Sequence, residues 1–283
     1  MNREKLSYGR GYPDLHDHIE NLRAADLLYE IDCLINKDTE LMPLVRWQFR
    51  GGISEAQRKA FLFNNITDSR GRDYTIPLVV GALATTPEIY GVGMGVPVSK
   101  IGEHWGQALA SPIPPVEVNE AVCQELFFEG NRLNGEGNGL DALPVPLSTP
   151  GFDVAPYLTA TSCISRDPET GIQNMGTYRG GIKASNRIGL KMFVNLRQGG
   201  HSHWSKYKQQ GKKMPMAIIV GCPPALAYVS PQKVRENVDE ISVAGALAGS
   251  PIRVVKAKTI DLLVPADAEI VIEGLVDTNM LEP

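Results

Sequence analysis

The sequence has little that would place it quickly. It holds four cysteines, Cys33, Cys123, Cys163 and Cys222, far apart and with no Cys-x-x-Cys pair. That spacing excludes a zinc knuckle or a dithiol redox motif and fits reduced thiols in a cytoplasmic protein. No apolar run reaches the length of a bilayer span, since Met216 to Leu226 is broken by Gly221 and Pro223-Pro224. The first residues, Met1-Asn2-Arg3-Glu4-Lys5, lack the apolar core of a signal peptide. A net charge of −4 gives no basic field for nucleic acid. There is no internal repeat, no low-complexity tract and no dinucleotide fingerprint, which argues against a conventional flavin reductase using NADH.

What is present suits a globular enzyme of one large or two ordinary domains. The chain has 283 residues, 43% of them hydrophobic and 21% charged. Glycine (28) and proline (20) are abundant, which implies many tight turns and short strands. Asp14 can cap a helix running to about Leu34, because Leu15, Ile19, Leu22, Ala25, Leu28 and Ile31 keep an i, i+3, i+4 rhythm. Glu55 to Leu62, Thr86 to Tyr90 and Lys100 to Leu109 read as further helices, and Ile76 to Gly81 as extended. Pro112-Ile113-Pro114-Pro115 marks a break, so a boundary is expected between 1–114 and 115–283. Gly130 to Gly139 reads as a loop and Leu143 to Leu147 as a proline-punctuated edge segment. Tyr157 to Ser165 alternates and leads into the Asp167–Gly171 turn, so a β-hairpin ending near Tyr178 is expected, with further strands at Gly189 to Leu196, Pro215 to Gly221, Ile252 to Val264 and Glu269 to Leu275. Many strands with few helices suggest a barrel or sandwich after the break.

The segment richest in chemistry is Asn174-Met175-Gly176-Thr177-Tyr178-Arg179, which follows the turn Asp167-Pro168-Glu169-Thr170-Gly171. An amide oxygen can bind a hard cation, and an arginine can hold a carboxylate through two parallel hydrogen bonds. Four further stretches accompany it in order: Met192 to Gly200; Ile218-Ile219-Val220-Gly221-Cys222-Pro223-Pro224-Ala225; Asp239-Glu240 with Ala244 to Gly249; and Val264 to Gly274. Together these features resemble the UbiD-type decarboxylases, which use prenylated FMN, over nearly the whole chain.

The resemblance implies an α+β fold: an N-terminal α/β domain over 1–114, then a split β-barrel flavin-binding domain over 115–283. It implies an enzyme, a carboxy-lyase. The reaction is reversible non-oxidative decarboxylation of an aromatic or α,β-unsaturated carboxylic acid through a covalent adduct with prenylated FMN. The flavin phosphate would be held through Mn2+, with K+ nearby. Asn174 and Glu240 match metal ligands, with Asp239 as the register alternative to Glu240. Arg179 matches the catalytic arginine that orients the substrate carboxylate. Cofactor contacts are implied for Asn174, Gly176, Thr177, Tyr178, Arg197, Gln198 and His203.

One position departs from the family pattern. Many members carry histidine where Arg197 falls, and a guanidinium has no lone pair for manganese. Arg197 could instead meet the flavin phosphate, and His201 or His203, expected on a loop beyond Gly199-Gly200, could supply a nitrogen. Lys206, Lys208, Lys212 and Lys213 with Trp204 and Tyr207 read as a solvated basic loop or a phosphate-binding patch. Glu269 and Glu273 are expected to be scaffold. The family's Pro-Glu-Gly-Pro-Phe-Gly-Glu-like segment, which carries two acidic partners of the arginine, has no counterpart before Pro283. That segment and a C-terminal domain are expected from a missing part or a partner chain, in a homo-oligomer or a complex. A non-catalytic flavin- or phosphate-binding subunit is the alternative. No nucleic-acid or membrane partner is expected.

Overall fold

The computed structural model describes residues 10–192, 198–235 and 238–281. Helix α1 (Leu15–Ala24) starts where expected. Asp14 accepts a bond from the Asp17 N–H at 2.9 Å, and the Asp17 carboxylate accepts one from the Asp14 N–H at 3.1 Å. The helix ends ten residues earlier than its rhythm suggests. Asp26 adopts a left-handed conformation (φ 55°), and Leu28–Ile31 form strand β1. The apolar spacing of Leu28 and Ile31 serves a strand whose burial is set by its neighbours.

Strand β2 (Ile35–Asn36) leads to helix α2 (Leu41–Arg50), which the sequence reading missed. Its Pro43 lies in the first turn, where a missing N–H costs nothing. The helix expected over Glu55 to Leu62 is a short 3-10 turn (Glu55–Gln57) and then β3 (Ala60–Phe63). All four residues of β3 are buried, because it lies between parallel β1 and antiparallel β6 (Leu78–Val80). A strand covered on both faces reads as an unbroken apolar run, which has no period to separate it from a helix. β4 (Ile66–Thr67) and β5 (Asp73–Tyr74) extend β2 into a small sheet. Helices α3 (Pro87–Met94) and α4 (Ile101–Ala110) lie where expected.

After β7 (Val116–Glu117) the chain runs through short 3-10 turns, and no strand forms at 143–147. β8 (Tyr157–Leu158), β9 (Thr161–Arg166), β10 (Gln173–Gly176), β11 (Arg179–Ala184) and β12 (Arg187–Lys191) follow. Part of the strand expected over Gly189 to Leu196 lies outside the described residues. The expected loop after Gly199-Gly200 is helix α5 (Gly199–Gln209). β13 (Met214–Val220), α6 (Pro224–Val229) and α7 (Glu240–Ala248) come next. The stretch expected as one strand over 252–264 is an antiparallel pair, β14 (Arg253–Lys256) and β15 (Leu263–Pro265), and β16 (Ile270–Val276) ends the series.

Among the described residues there are five small sheets, none closed. The central one runs β10-β9-β13-β16, antiparallel throughout. Alternate residues of its strands feed two separate cores. Ile164, Met175, Ala217 and Ile219 enter one with α6, α7 and β14. Cys163, Met214, Met216 and Ile218 enter the other with Leu158, Tyr178 and the half-buried Ile182, Ile188 and Leu190. The first core also takes Tyr12, Met94 and Ala108, so the N-terminal helices pack directly on α6 and α7. The four cysteines are free, and among the described residues no helix is long and apolar enough to cross a membrane.

Candidate active site

The site is built on the β9–β10 hairpin. Asp167 organises its turn by accepting from the Glu169 N–H at 2.9 Å, and Gly171 closes it at φ 75°. That turn sets Asn174 directly opposite Ser165. β10 is an edge strand, and the Met175 N–H donates to Glu240 Oε2 at 3.2 Å. Glu240 opens α7. Its neighbour Asp239 is the helix cap, accepting from Ile241 N–H and Ser242 N–H at 3.1 Å each and from the Ser242 hydroxyl. Asp239 is thereby occupied, and Glu240 is the carboxylate turned to β10.

Glu240 is 8% exposed, and among the described residues no lysine, arginine or histidine forms an ion pair with it. Burial pushes its carboxyl up from 4.5 to about 7. The charge of Asp239 adds to the rise, while its own N–H and that of Met175 oppose it.

The start of α5 forms the second wall. The Gly200 N–H donates to Tyr178 Oη at 2.9 Å, and Asn174 Nδ2 donates to the same oxygen at 3.4 Å. A Cβ at Gly199 would overlap the Asn174 amide, and one at Gly176 or Gly200 would overlap the Tyr178 phenol. These glycines let Asn174 and Tyr178 pack against the helix start, with the Tyr178 ring buried rather than offered to solvent. The Thr177 hydroxyl donates to Ser230 Oγ at 3.0 Å, just after α6. His203 is buried on α5 with Nδ1 2.9 Å from Ser165 Oγ, and burial pushes its pKa down. His201 lies on the same helix, half-buried. Gln198 is the residue just before α5, and Arg197 lies outside the described residues. Among the described residues no three of His, Cys, Asp and Glu gather as a metal cluster.

Arg179 is five residues from Asn174 but on another sheet, exposed, with its guanidinium carbon 4.9 Å from the Tyr157 ring centroid. The expected basic patch is partly neutralised. Lys206 pairs with Asp167 at 2.6 Å and Glu169 at 2.8 Å, and Lys208 lies 4.9 Å over Trp204. Glu269 and Glu273 keep separate scaffold contacts. The first meets His16 at 3.1 Å, and the second accepts from the Lys258 and Thr259 N–H groups at 2.8 and 2.6 Å.

Ser165, Ser230 and Tyr157 were missed. Ser165 was readable from the hairpin, since a known turn gives the register. Another unused signal is that residues 170–235 contain eleven lysines and arginines and no aspartate or glutamate.

The family model of the UbiD 3-octaprenyl-4-hydroxybenzoate carboxy-lyase Rift-related domain matches residues 115–283. The chain belongs to the UbiD family. An uncharacterised protein of Aquifex aeolicus (strain VF5) is 30% identical over 287 residues, covering 95% of this chain and 56% of the relative. Among solved structures, the UbiD-class enzyme HmfF from Pelotomaculum thermopropionicum, in complex with FMN, is 27% identical with TM-score 0.78. The alignment covers 93% of this UbiD-family chain and 55% of HmfF. The 3,4-dihydroxybenzoic acid decarboxylase AroY of Klebsiella pneumoniae is 25% identical with TM-score 0.78, over 93% of this chain and 54% of AroY. The vanillic acid decarboxylase VdcCD of Sedimentibacter hydroxybenzoicus, in closed form, shares the fold (23%, TM-score 0.81, over 93% of this chain and 55% of that one). The chain spans about half the length of these UbiD relatives.

Proposed function

We propose that this chain carries the cofactor-holding and carboxylate-orienting part of a UbiD decarboxylase acting on an aromatic or α,β-unsaturated acid. The observation that carries the reading is Glu240, a buried carboxylate with no cation partner among the described residues, touching the strand that bears Asn174. Such a group is stable as a charge only beside a cation. A divalent ion fits it: the Glu240 carboxylate and the Asn174 carbonyl are hard oxygen donors, and phosphate and water can complete the shell. In this reading the ion is Mn2+, K+ lies nearby, and the flavin is prenylated FMN. That FMN and prenylated FMN are the ligands of HmfF structures supports it. When bound, the prenylated flavin supplies covalent chemistry that takes up the electrons left as carbon dioxide departs.

The protein's own groups do the rest. The N-termini of α5 and α7, both against β10, favour negative charge such as a phosphate. Tyr178 holds the α5 start in place through the Gly200 N–H. Arg179 orients the substrate carboxylate through its paired N–H donors. A proton must then reach the vacated carbon. The resemblance assigns that step to acids outside these 283 residues, from a C-terminal part or a partner chain. The matched chains of HmfF and AroY run to about twice the length aligned here, which supports the first source.

We also propose that 115–283 is the split-barrel flavin domain and 1–114 a separate α/β domain. The family match over 115–283 supports this division. The packing of α3 and α4 on α6 and α7 is then the interface between the two.

The test is calorimetric titration of Mn2+ with FMN or prenylated FMN. Asn174→Ala and Glu240→Gln should each weaken metal-dependent flavin binding at least about tenfold. Unchanged affinity in both would sink the reading. Carbon dioxide release by the full-length protein separates enzyme from binding subunit: flavin binding with no turnover favours the non-catalytic alternative.

A further inference from the structure

We infer that Tyr157 is the positioning residue for Arg179: its ring is the platform that sets the guanidinium for a substrate carboxylate. The inference rests on the reading of Arg179 given above. Tyr157 on β8 pairs with Gly181 on β11, and residues directly opposite on antiparallel strands project to one face. Arg179, two residues before Gly181, shares that face. The other face, carrying Leu158, Ile182, Ile188 and Leu190, is turned to the core.

Gly181 gives the ring its place. A Cβ there would stand 2.9 Å from Tyr157 Cε1, 3.4 Å from Cδ1 and 3.5 Å from Cζ, so a side chain would lift the ring from the strand. The guanidinium carbon of Arg179 then lies 4.9 Å from the ring centroid. Arg179 is exposed, and among the described residues no carboxylate pairs with it, so within them this ring is an orienting contact. The arrangement suits its task. An aromatic ring under the planar group restricts its rotamers and leaves the edge N–H donors for a ligand and for the acidic partners expected from outside these 283 residues. Orientation set before binding lowers the ordering cost when the carboxylate arrives.

The experiment is a calorimetric titration of the FMN-loaded chain with benzoate, a carboxylate that unmodified FMN leaves intact. Wild type is compared with Tyr157→Phe, Tyr157→Leu, Gly181→Ala and Arg179→Ala, each checked for unfolding temperature. Tyr157→Phe keeps the ring and should bind as wild type. Tyr157→Leu and Gly181→Ala should bind about threefold to tenfold more weakly at unchanged unfolding temperature. Wild-type affinity in Tyr157→Leu alongside a loss in Arg179→Ala would overturn the inference and leave the reading of Arg179 standing. So would a Tyr157→Phe as weak as Tyr157→Leu. Equal binding by wild type and Arg179→Ala, or no binding by wild type, would overturn both.

Discussion

Asn174 and Arg179 are five residues apart and sit in opposite environments. Around Asn174 the strand edge is walled by two helix starts, and the nearby carboxylate, Glu240, is 8% exposed. Arg179 is exposed on its sheet, and its guanidinium carbon lies 4.9 Å from the centroid of the Tyr157 ring. The difference separates two ways of preparing a charge. A buried acid with no cation among the described residues holds its proton more tightly, because low dielectric makes the charged form costly. An exposed guanidinium keeps its planar fork of donors free, and an aromatic face beside it restricts how that fork turns.

The sharpest way to break the comparison is to unfold the central sheet, whose strands feed the cores behind both ends. Ile219 is fully buried on β13, and Ile219→Ala should cost about 2–5 kcal/mol in urea unfolding, losing both ends together. Next in size is the pH response of the buried end. Glu240 holds its proton more tightly in the folded chain, with the pKa raised from 4.5 to about 7. Its contribution is therefore fully present below pH about 4.5 and is lost as pH rises to about 7, by on the order of 3 kcal/mol without metal. Urea midpoints across that window should fall in wild type and fall less in Glu240→Gln, and saturating Mn2+ should abolish the wild-type decline. A matching decline in Glu240→Gln would assign it to another group.

Tyr178→Phe tests the wall alone. It removes the acceptor of the Gly200 N–H and should cost about 1–3 kcal/mol by the same assay, with flavin affinity falling as the α5 start loosens. The smallest effect belongs to the exposed end of the hairpin. Arg166 pairs with Asp261, which is 93% exposed, so Arg166→Ala should change stability by less than about 1 kcal/mol. A larger loss would mean that the hairpin tip is less solvated than its partner's exposure indicates.

The parts legible in the sequence are those decided by near neighbours. The Asp14 cap, the Asp167–Gly171 turn and the start of α3 at Thr86 each rest on bonds spanning four residues or fewer. Elements decided by what covers them were misread. β3 looked helical because both its faces are buried, and Leu28 and Ile31 continued a helical rhythm while serving β1. Gly199-Gly200 looked like a loop signal, yet these glycines open α5 because Asn174 and Tyr178 occupy the space a side chain would need. Sequence also put Asn174, Arg179 and Glu240 forward by resemblance, but could not separate Glu240 from Asp239. The structure gives the two carboxylates different contacts: Asp239 caps α7, and Glu240 accepts from the Met175 N–H.

By itself, then, the sequence determined the β9–β10 hairpin, the opening cap and the set of chemically able residues, since all follow from local backbone geometry and side-chain type. Only the tertiary structure decided that Glu240 meets a strand 65 positions earlier and is buried there without a cation among the described residues. Only it turned the Tyr178 phenol inward and laid Arg179 over Tyr157. Desolvation and long-range packing depend on atoms brought together from distant parts of the chain, and no short window of residues contains them.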